Sequence, residues 1–296
     1  MRSVLITGGS RGIGKAMVEL FAKNGYSVAF TYKNSKSEAL ELEKKTGALA
    51  IKANCTPYTD GTIQGMLDAV DRAKADIAVT LPVLTKPTQF DSVAKFAKAI
   101  NDEYSKKGNK LLSFGGIHPQ CEDIDGKMAY LKSLGIKGVK IHPDYQDTFI
   151  DDDGYYKILL AAKKYDMIVV THAGVDDGYL DQPIKCPPEK VIKLIEEVEH
   201  DKFVLAHYGG HKQWEKVLDF LAGKNVYFDT AFTLHEINEG LFKDIINKHG
   251  ADKILFATDC PWRDIKDDVQ ILKSFNLRKD VEDKIFYKNA LKLLNI

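Results

Sequence analysis

The chain has 296 residues, of which 44% are hydrophobic, and it carries 42 acidic and 42 basic residues. This length suits one α/β barrel of about 250 residues with a modest extension. The balanced charge gives no general attraction for nucleic acid or for an anionic membrane surface, and every apolar run is shorter than the roughly 18 residues that span a bilayer.

Four cysteines, Cys55, Cys121, Cys186 and Cys260, show no CxxC spacing. This pattern argues against a structural zinc site and against a disulfide framework. The segment that begins at Met1 continues directly into a predicted strand, without the apolar core and cleavage site of a signal peptide. We therefore expect a cytoplasmic protein with reduced thiols.

The first 55 residues predict a small alternating α/β piece. The predicted elements are a strand at 4–7, a helix at 15–23, a strand at 27–32, a helix at 36–45 and a strand at 48–53. A glycine-rich turn, Gly8-Gly-Ser-Arg-Gly-Ile-Gly14, joins the first strand to the first helix. Such a turn brings backbone N–H groups and a helix N-terminus up to a phosphate.

From residue 56 onward, apolar runs of strand length alternate with segments of helical period. Strands are predicted near residues 76, 110, 138, 167, 202, 226 and 254, and segments 62–73, 89–107, 123–134, 154–165, 188–199, 213–221 and 235–249 predict the helices. This alternation predicts parallel strands buried on both faces. The predicted fold class is therefore α/β, a (β/α)8 TIM-like barrel with an N-terminal Rossmann-like βαβα extension. The predicted domains are 1–47 and 48–296, and the nearest candidate for the remaining barrel strand is 48–55, which is also the third strand of the N-terminal piece.

Three of the later strands end in residues that bind metals or exchange protons. The runs are Met167 to His172, Phe203 to His207 and Ile254 to Asp259. The carboxyl ends of parallel barrel strands share one rim, where catalytic residues from different strands converge. Each of these residues could also end a strand for structural reasons, but together they predict the skeleton of a hydrolytic metal site.

Several motifs in this part of the chain match one family in order and spacing. They are Phe114-Gly-Gly-Ile-His-Pro119, Gly138-Val-Lys-Ile-His-Pro-Asp-Tyr-Gln146, Thr171-His-Ala-Gly174, Ala206-His-Tyr-Gly-Gly210, Val226-Tyr-Phe-Asp-Thr230 and Ala257-Thr-Asp-Cys-Pro-Trp262. On these motifs, residues from about 56 to 296 resemble the amidohydrolase superfamily. The resemblance is to its amidohydrolase 2 branch, which includes aminocarboxymuconate-semialdehyde-decarboxylase-like enzymes. It implies metal-dependent hydrolysis or decarboxylation of a small carboxylated substrate, with zinc as the expected divalent metal.

The resemblance also implies roles for individual residues. His172, His207 and Asp259 would be the metal ligands, and His207 or Asp259 would act as the acid or base. Lys140, His142 and Trp262 would contact the substrate. The other histidines receive structural interpretations: His118 organises a loop, His211 caps a helix, and His200, His235 and His249 are solvated at helix ends.

One part of the family pattern is missing. Where the family places a His-x-His pair at the end of its first strand, this chain has Asn54 and Thr56. Amide and hydroxyl oxygens are poorer zinc ligands than imidazole. We therefore expect a weakly bound metal and an impaired site.

The first 55 residues resemble the start of a short-chain dehydrogenase/reductase, through the Thr-Gly-x-x-x-Gly-x-Gly pattern that begins at Thr7. In this resemblance Gly8, Arg11, Gly12 and Gly14 would bind NADP. The Asn-Ala-Gly and Tyr-x-x-x-Lys motifs of the catalytic half are missing. An NADP-binding, oxidoreductase-like protein is therefore the alternative function, and a non-catalytic barrel is a third. We expect the partner to be a small-molecule substrate and expect no binding to nucleic acid or to a membrane. The sequence leaves open whether the chain forms a homodimer.

Overall fold

The computed structural model describes residues 3–6, 10, 12–32, 35–52, 58–59, 61–104 and 111–296. The chain divides into two compact units, Met1–Tyr58 and Thr59–Ile296. The predicted boundary lay between residues 47 and 48, so the strand predicted at 48–53 and the residues after it fall in the first unit here. The predicted boundary between folding domains stays a prediction.

The N-terminal unit is a three-stranded parallel sheet with its connecting helices. Its elements are β1 (Ser3–Ile6), α1 (Gly12–Lys23), β2 (Ser27–Tyr32), α2 (Lys36–Thr46) and β3 (Leu49–Lys52). The strand order is β1-β2-β3, and all described pairs are parallel. Val18, Phe30 and Leu42 are buried between sheet and helices. The predicted Rossmann-like extension is confirmed, while Gly8, Arg11, Asn54 and Thr56 lie outside the described residues.

The second unit is built on short parallel strands. They are β4 (Ala78–Thr80), β5 (Leu111–Ser113), β6 (Gly115–Gly116), β7 (Gly138–Ile141), β8 (Ile168–Thr171), β9 (Phe203–Leu205), β10 (Tyr227–Asp229) and β11 (Ile254–Leu255). β4 pairs with β5, and β6 to β11 pair in sequence order. Only Phe114 separates β5 from β6, and its N–H donates to Thr80 O at 3.0 Å. β5 and β6 are therefore one bent strand, and each of the seven strand positions predicted in this unit is confirmed.

Helices follow the strands and cover them. They are α3 (Ile63–Ala73), α4 (Phe90–Tyr104), α5 (Ile124–Ser133), α6 (Asp153–Lys164), α7 (Pro188–Val198), α8 (Trp214–Lys216), α9 (Glu239–His249), α10 (Ile265–Ser274), α11 (Lys279–Asp283) and α12 (Asn289–Leu294). Two π-helical turns, Val217–Leu221 and Lys284–Lys288, continue α8 and α11. Two 3-10 turns occupy Pro87–Gln89 and Ala251–Lys253. Within the described ranges, no helix is both long and apolar enough to cross a membrane.

The strands of this unit are buried on both faces. Every residue of β7, β8, β9 and β10 is buried. Ile158, Leu194 and Ile245, on three of the covering helices, are buried in the same core. Burial of each such aliphatic side chain contributes about 1.5–3 kcal/mol. The core therefore fixes the strand ends, which carry the polar residues described next.

Candidate functional site

Polar side chains lie at the carboxyl ends of consecutive strands. His142 directly follows β7 and His172 directly follows β8, while Asp229 is the last residue of β10. His207 follows β9 after one residue, and Lys140 lies on β7. All five are buried. We call these five residues the rim cluster.

Three imidazoles of the rim cluster lie in contact. The rings of His142 and His172 stack with centroids 4.3 Å apart and planes 13° apart. His172 Nδ1 lies 2.9 Å from His207 Nε2, and His207 Nδ1 lies 2.9 Å from the carbonyl oxygen of Ala231. The three histidines therefore form one continuous group across β7, β8 and β9.

The hydrogen bonds determine where the protons of these rings sit. A carbonyl oxygen can only accept, so His207 Nδ1 carries a hydrogen and the neutral ring offers Nε2 as an acceptor. His172 Nδ1 then donates to His207 Nε2, which leaves a lone pair on His172 Nε2. Burial is the main cause that lowers the pKa of all three, for His207 to about 4. Neutral rings with this tautomer are therefore expected at pH 7.

The lone pair of His172 faces buried carboxylates. His172 Nε2 lies 3.7 Å from Asp144 Oδ2, and neither atom has a hydrogen-bond partner among the described residues. Next to them, His142 Nε2 lies 3.6 Å from Asp176 Oδ2. Burial, together with the charge of Asp176, raises the pKa of Asp144 to about 6. Buried polar atoms without partners are uncommon in native proteins, and here two of them face each other across a gap too long for a hydrogen bond.

Asp229 holds the loop that carries His207. Its Oδ1 accepts from the backbone N–H groups of His207 and Ala231, each at 3.0 Å. Burial raises the pKa of Asp229 to about 6, although the Lys140 ammonium opposes this shift. Burial lowers the pKa of Lys140, whereas Asp229 and Asp259 raise it. The buried lysine on β7 therefore has its counter-charges at the end of β10 and on the loop after β11.

The backbone near the rim adopts an unusual conformation. His207, Tyr208 and Asp259 have positive φ angles of 58°, 58° and 62°. A non-glycine residue in this region costs on the order of 1–3 kcal/mol, and such residues cluster at functional sites. The strain at His207 is offset by the bonds to Asp229, and it turns the imidazole toward His172.

Gln146 ties the loop after β7 to two neighbouring loops. Its Oε1 accepts from the N–H of His142 at 3.1 Å and from the Tyr155 hydroxyl at 2.9 Å. Its Nε2 donates to the carbonyl oxygens of Leu84 and Ile117. These four bonds satisfy the buried amide and position His142.

The structure brings most of the predicted site residues together. His142, Lys140, His172 and His207 lie in the rim cluster, and Asp259 influences the charge of Lys140. Trp262 is 42% exposed on the loop after β11. The assignment of His172, His207 and Asp259 as one ligand set stays a prediction. In this structure His207 Nε2 accepts a hydrogen bond from His172, so its lone pair is not directed at a metal.

Two groups of side chains in the described part of the chain have the spacing to hold a metal ion. They are His142 with His172 and Asp176, and Asp177 with His211 and Glu236, and the ligand atoms of each group lie within 4.8 Å of one another. His172 is the one residue that the first group shares with the predicted set. The sequence pointed to Asp259 as the carboxylate ligand and to none of Asp176, Asp177 and Glu236.

The structural interpretations of the other histidines have mixed outcomes. His118 is buried and its Nδ1 accepts from Gln120 N at 3.2 Å, in agreement with a loop role. His200 is not solvated, since it is buried with Nε2 2.9 Å from Met167 O. His249 stacks on Phe228 at 4.0 Å. The interpretation of His200 and His249 as solvated was wrong because neighbouring elements cover both rings.

The fold and the rim cluster define an α/β barrel protein with a polar site at the carboxyl ends of its strands. The Amidohydrolase family profile matches residues 114–296, which is more than half of the chain. The chain therefore belongs to the amidohydrolase family. The short chain dehydrogenase profile matches residues 2–108, so that similarity extends well beyond the 55 residues in which the sequence resembled a reductase.

Two proteins of named activity or binding are similar to the chain over very different lengths. An acetoacetyl-CoA reductase from Shinella zoogloeoides is 26% identical, and the match covers 81% of this chain and 98% of that protein. A cyclic-di-GMP-binding biofilm dispersal mediator protein from Escherichia coli is 52% identical over 80 residues, which cover 26% of this chain and 31% of that protein.

Two solved structures share the fold at low sequence identity. An uncharacterised TIM-barrel protein from Bordetella bronchiseptica has a TM-score of 0.64 at 15% identity and covers 99% of this chain and 98% of its own. A 5-carboxyvanillate decarboxylase from Novosphingobium aromaticivorans, solved with bound manganese, has a TM-score of 0.60 at 15% identity and covers 91% and 96%. The predicted TIM-like barrel fold is confirmed.

Proposed function

We propose that this chain is a metal-dependent hydrolase or decarboxylase that acts on a small carboxylated substrate. The observation that carries the proposal is the contact of three neutral imidazoles at the rim, ending in a lone pair on His172 that faces Asp144. The family match supports the reaction class. A similar fold in a decarboxylase with bound manganese supports a divalent metal.

The donors at the rim fit a divalent cation. His142, His172 and Asp176 offer two imidazole nitrogens and a carboxylate oxygen within reach of one ion, a donor set suited to zinc or manganese. The predicted set of His172, His207 and Asp259 shares only His172 with it. When bound, such a cation would polarise a substrate oxygen and lower the pKa of a bound water.

His207 is the residue we assign as the acid/base. Its Nδ1 is fixed on Ala231 O, so Nε2 is the atom that takes up or releases a proton once its hydrogen bond from His172 Nδ1 is released. Asp229 keeps the backbone of His207 in place. Asp259, at the next strand end, is the alternative proton acceptor. A general acid/base held in this way contributes about 10²–10⁴-fold to a rate.

Lys140 and Trp262 are assigned to the substrate, whereas His142, which the resemblance placed there, is a metal donor in this proposal. A buried ammonium on β7 attracts a substrate carboxylate, while Asp229 and Asp259 oppose the lowering of the Lys140 pKa that burial causes. His142 stacks on Tyr145 at 3.9 Å, so the loop after β7 presents a flat aromatic surface. Trp262 would form part of the wall on the opposite loop.

The test is turnover of small carboxylic acids in the presence of added zinc or manganese, followed as release of carbon dioxide or of a hydrolysis product. Wild type and His200→Ala should both show activity, because His200 is a buried histidine that contacts Met167 and no member of the rim cluster. His207→Gln should lose at least a hundredfold in kcat. Equal activity of His207→Gln and wild type would contradict the assignment of His207.

The alternative of NADP binding is favoured by the N-terminal sheet and by the dehydrogenase match to residues 2–108. Titration with NADPH, followed by its fluorescence, tests it. Micromolar binding that is lost in Gly14→Asp would support a nucleotide site in the first unit, since a carboxylate there repels phosphate. An unchanged fluorescence in wild type would remove this alternative. If the barrel is non-catalytic, none of the tested acids is turned over, whichever metal ion is added.

A further inference from the structure

A second group of chemically reactive side chains lies beside the rim cluster and is not used in the proposed reaction. His211 follows the Ala206-His-Tyr-Gly-Gly210 motif, and its ring centroid lies 5.9 Å from that of His207. Its backbone is fixed, since its N–H donates to Ala173 O at 2.9 Å and its carbonyl accepts from Val175 at 3.0 Å. The interpretation of His211 as a helix cap was wrong, because the side chain turns inward instead.

The imidazole of His211 is buried without hydrogen bonds. Its side chain is 3% exposed, and neither ring nitrogen has a partner in the ranges that the structure describes. Its Nε2 lies 3.7 Å from Asp177 Oδ2 and 3.9 Å from Glu236 Oε2. These separations are too long for hydrogen bonds. They approach the roughly 3.4 Å between two ligand atoms bound to one tetrahedral zinc ion.

Each of the two carboxylates is held by a basic side chain. Lys212 Nζ lies 2.5 Å from Asp177 Oδ1 and 3.7 Å from Glu236 Oε2, and Arg263 Nη2 donates to Glu236 Oε1 at 3.0 Å. The remaining oxygens, Oδ2 and Oε2, are those that face His211. Outer partners that orient ligating carboxylates in this way are a regular feature of metal sites.

We propose that Asp177, His211 and Glu236 form a second divalent-cation site, which takes zinc through one imidazole nitrogen and two carboxylate oxygens. Burial and the neighbouring His207 lower the pKa of His211, so the ring is neutral and able to coordinate near pH 7. Three protein ligands leave a coordination position for water or substrate. The site shares no residue with the rim cluster and does not depend on the proposed function.

Zinc titration against a competing chelating dye tests this site. Asp177→Asn should bind one zinc equivalent fewer than wild type, or bind that equivalent at least tenfold more weakly. Asp177 is 41% exposed, so the variant should fold. Asp181→Asn, which changes an exposed aspartate on the same loop, is the matched control and should bind like wild type.

Two further variants separate this site from the rim cluster. His172→Ala should keep the equivalent that Asp177→Asn loses, and the double variant should bind no zinc. Cobalt(II) gives an independent readout, since its visible absorption from the second site should persist in His172→Ala and disappear in His211→Gln. Equal zinc binding by Asp177→Asn and Asp181→Asn, or loss of all zinc in His172→Ala alone, would overturn the second site.

Discussion

Asp229 shows how one side chain maintains the geometry of the rim. Its Oδ1 accepts two backbone N–H groups at 3.0 Å, and these bonds hold His207 at a positive φ. Asp229→Ala would leave both donors buried without a partner, so we expect a loss of about 2–4 kcal/mol in the free energy of unfolding. Asp229→Asn keeps the acceptor oxygen and should lose about 1 kcal/mol. Urea denaturation measures both, and equal losses would contradict this role.

The lowered pKa of His249 leads us to expect that the free energy of unfolding depends on pH. Burial is the main cause that lowers its pKa to about 4, and the charge of Lys253 adds to this effect. The unfolded chain, with a pKa near 6.5, therefore binds the proton more readily than the folded chain does. The stabilising contribution is complete above pH 6.5 and is lost as the pH falls toward 4.

His249→Phe keeps the stack on Phe228 and removes the titrating group. Between pH 7 and pH 5, wild type should lose about 1–2 kcal/mol more of its free energy of unfolding than the variant. Urea denaturation at the two pH values measures this difference. A difference between wild type and variant that stays constant with pH would show that His249 does not titrate as described.

At the scale of elements, the loops after β8 and β9 are locked together at Gly174. This glycine has a φ of 85°, and the residues on either side of it bond to the loop after β9. His211 N–H donates to Ala173 O at 2.9 Å, and Val175 N–H donates to His211 O at 3.0 Å. A Cβ at this position would lie 2.2 Å from the backbone nitrogen of His211. The close approach keeps His172 and His211 on one rim.

Gly174→Ala and Gly135→Ala together test this close approach. Gly135 has a φ of 75°, but a Cβ there would meet nothing within 4 Å. Gly135→Ala should therefore cost only the backbone strain, about 1–2 kcal/mol. Gly174→Ala should cost about 1–3 kcal/mol more and weaken zinc binding, because the two loops must separate. Thermal denaturation compares them, and equal losses would refute the packing argument.

Element type was predictable, whereas element ends depended on local capping. The apolar runs predicted the strands of the barrel because both faces are buried. The helix predicted at 235–249 begins only at Glu239, since Asn238 Oδ1 accepts from Gly240 and Leu241 and so starts α9. The helix predicted from residue 62 begins at Ile63, with Thr62 as its cap.

At the scale of the whole molecule, strand-end residues were predictable because parallel strands bring their carboxyl ends to one rim. The strand ends pointed to His172, His207 and Asp259, and the family resemblance added His142. The roles of Asp144, Asp176 and Glu236 were not predictable, because these residues lie on loops whose positions depend on packing between elements. The bond between His172 and His207 depends on the left-handed backbone at His207, which no sequence pattern indicates.

The two units have separate cores, and their similarities to known proteins differ as well. The core of the first unit includes Phe30 and Leu42, and that of the second includes Tyr155 and Phe242. The dehydrogenase profile ends at residue 108 and the amidohydrolase profile begins at residue 114. The rim cluster lies entirely in the amidohydrolase segment, so its chemistry is the central claim for this molecule.

Metal content tests that claim most directly. Protein purified without chelator and then equilibrated with zinc is measured by plasma mass spectrometry, for wild type, His172→Ala and His200→Ala. We expect His172→Ala to lose one zinc equivalent relative to wild type and His200→Ala to lose none. Equal zinc in wild type and His172→Ala would contradict a metal site in the rim cluster.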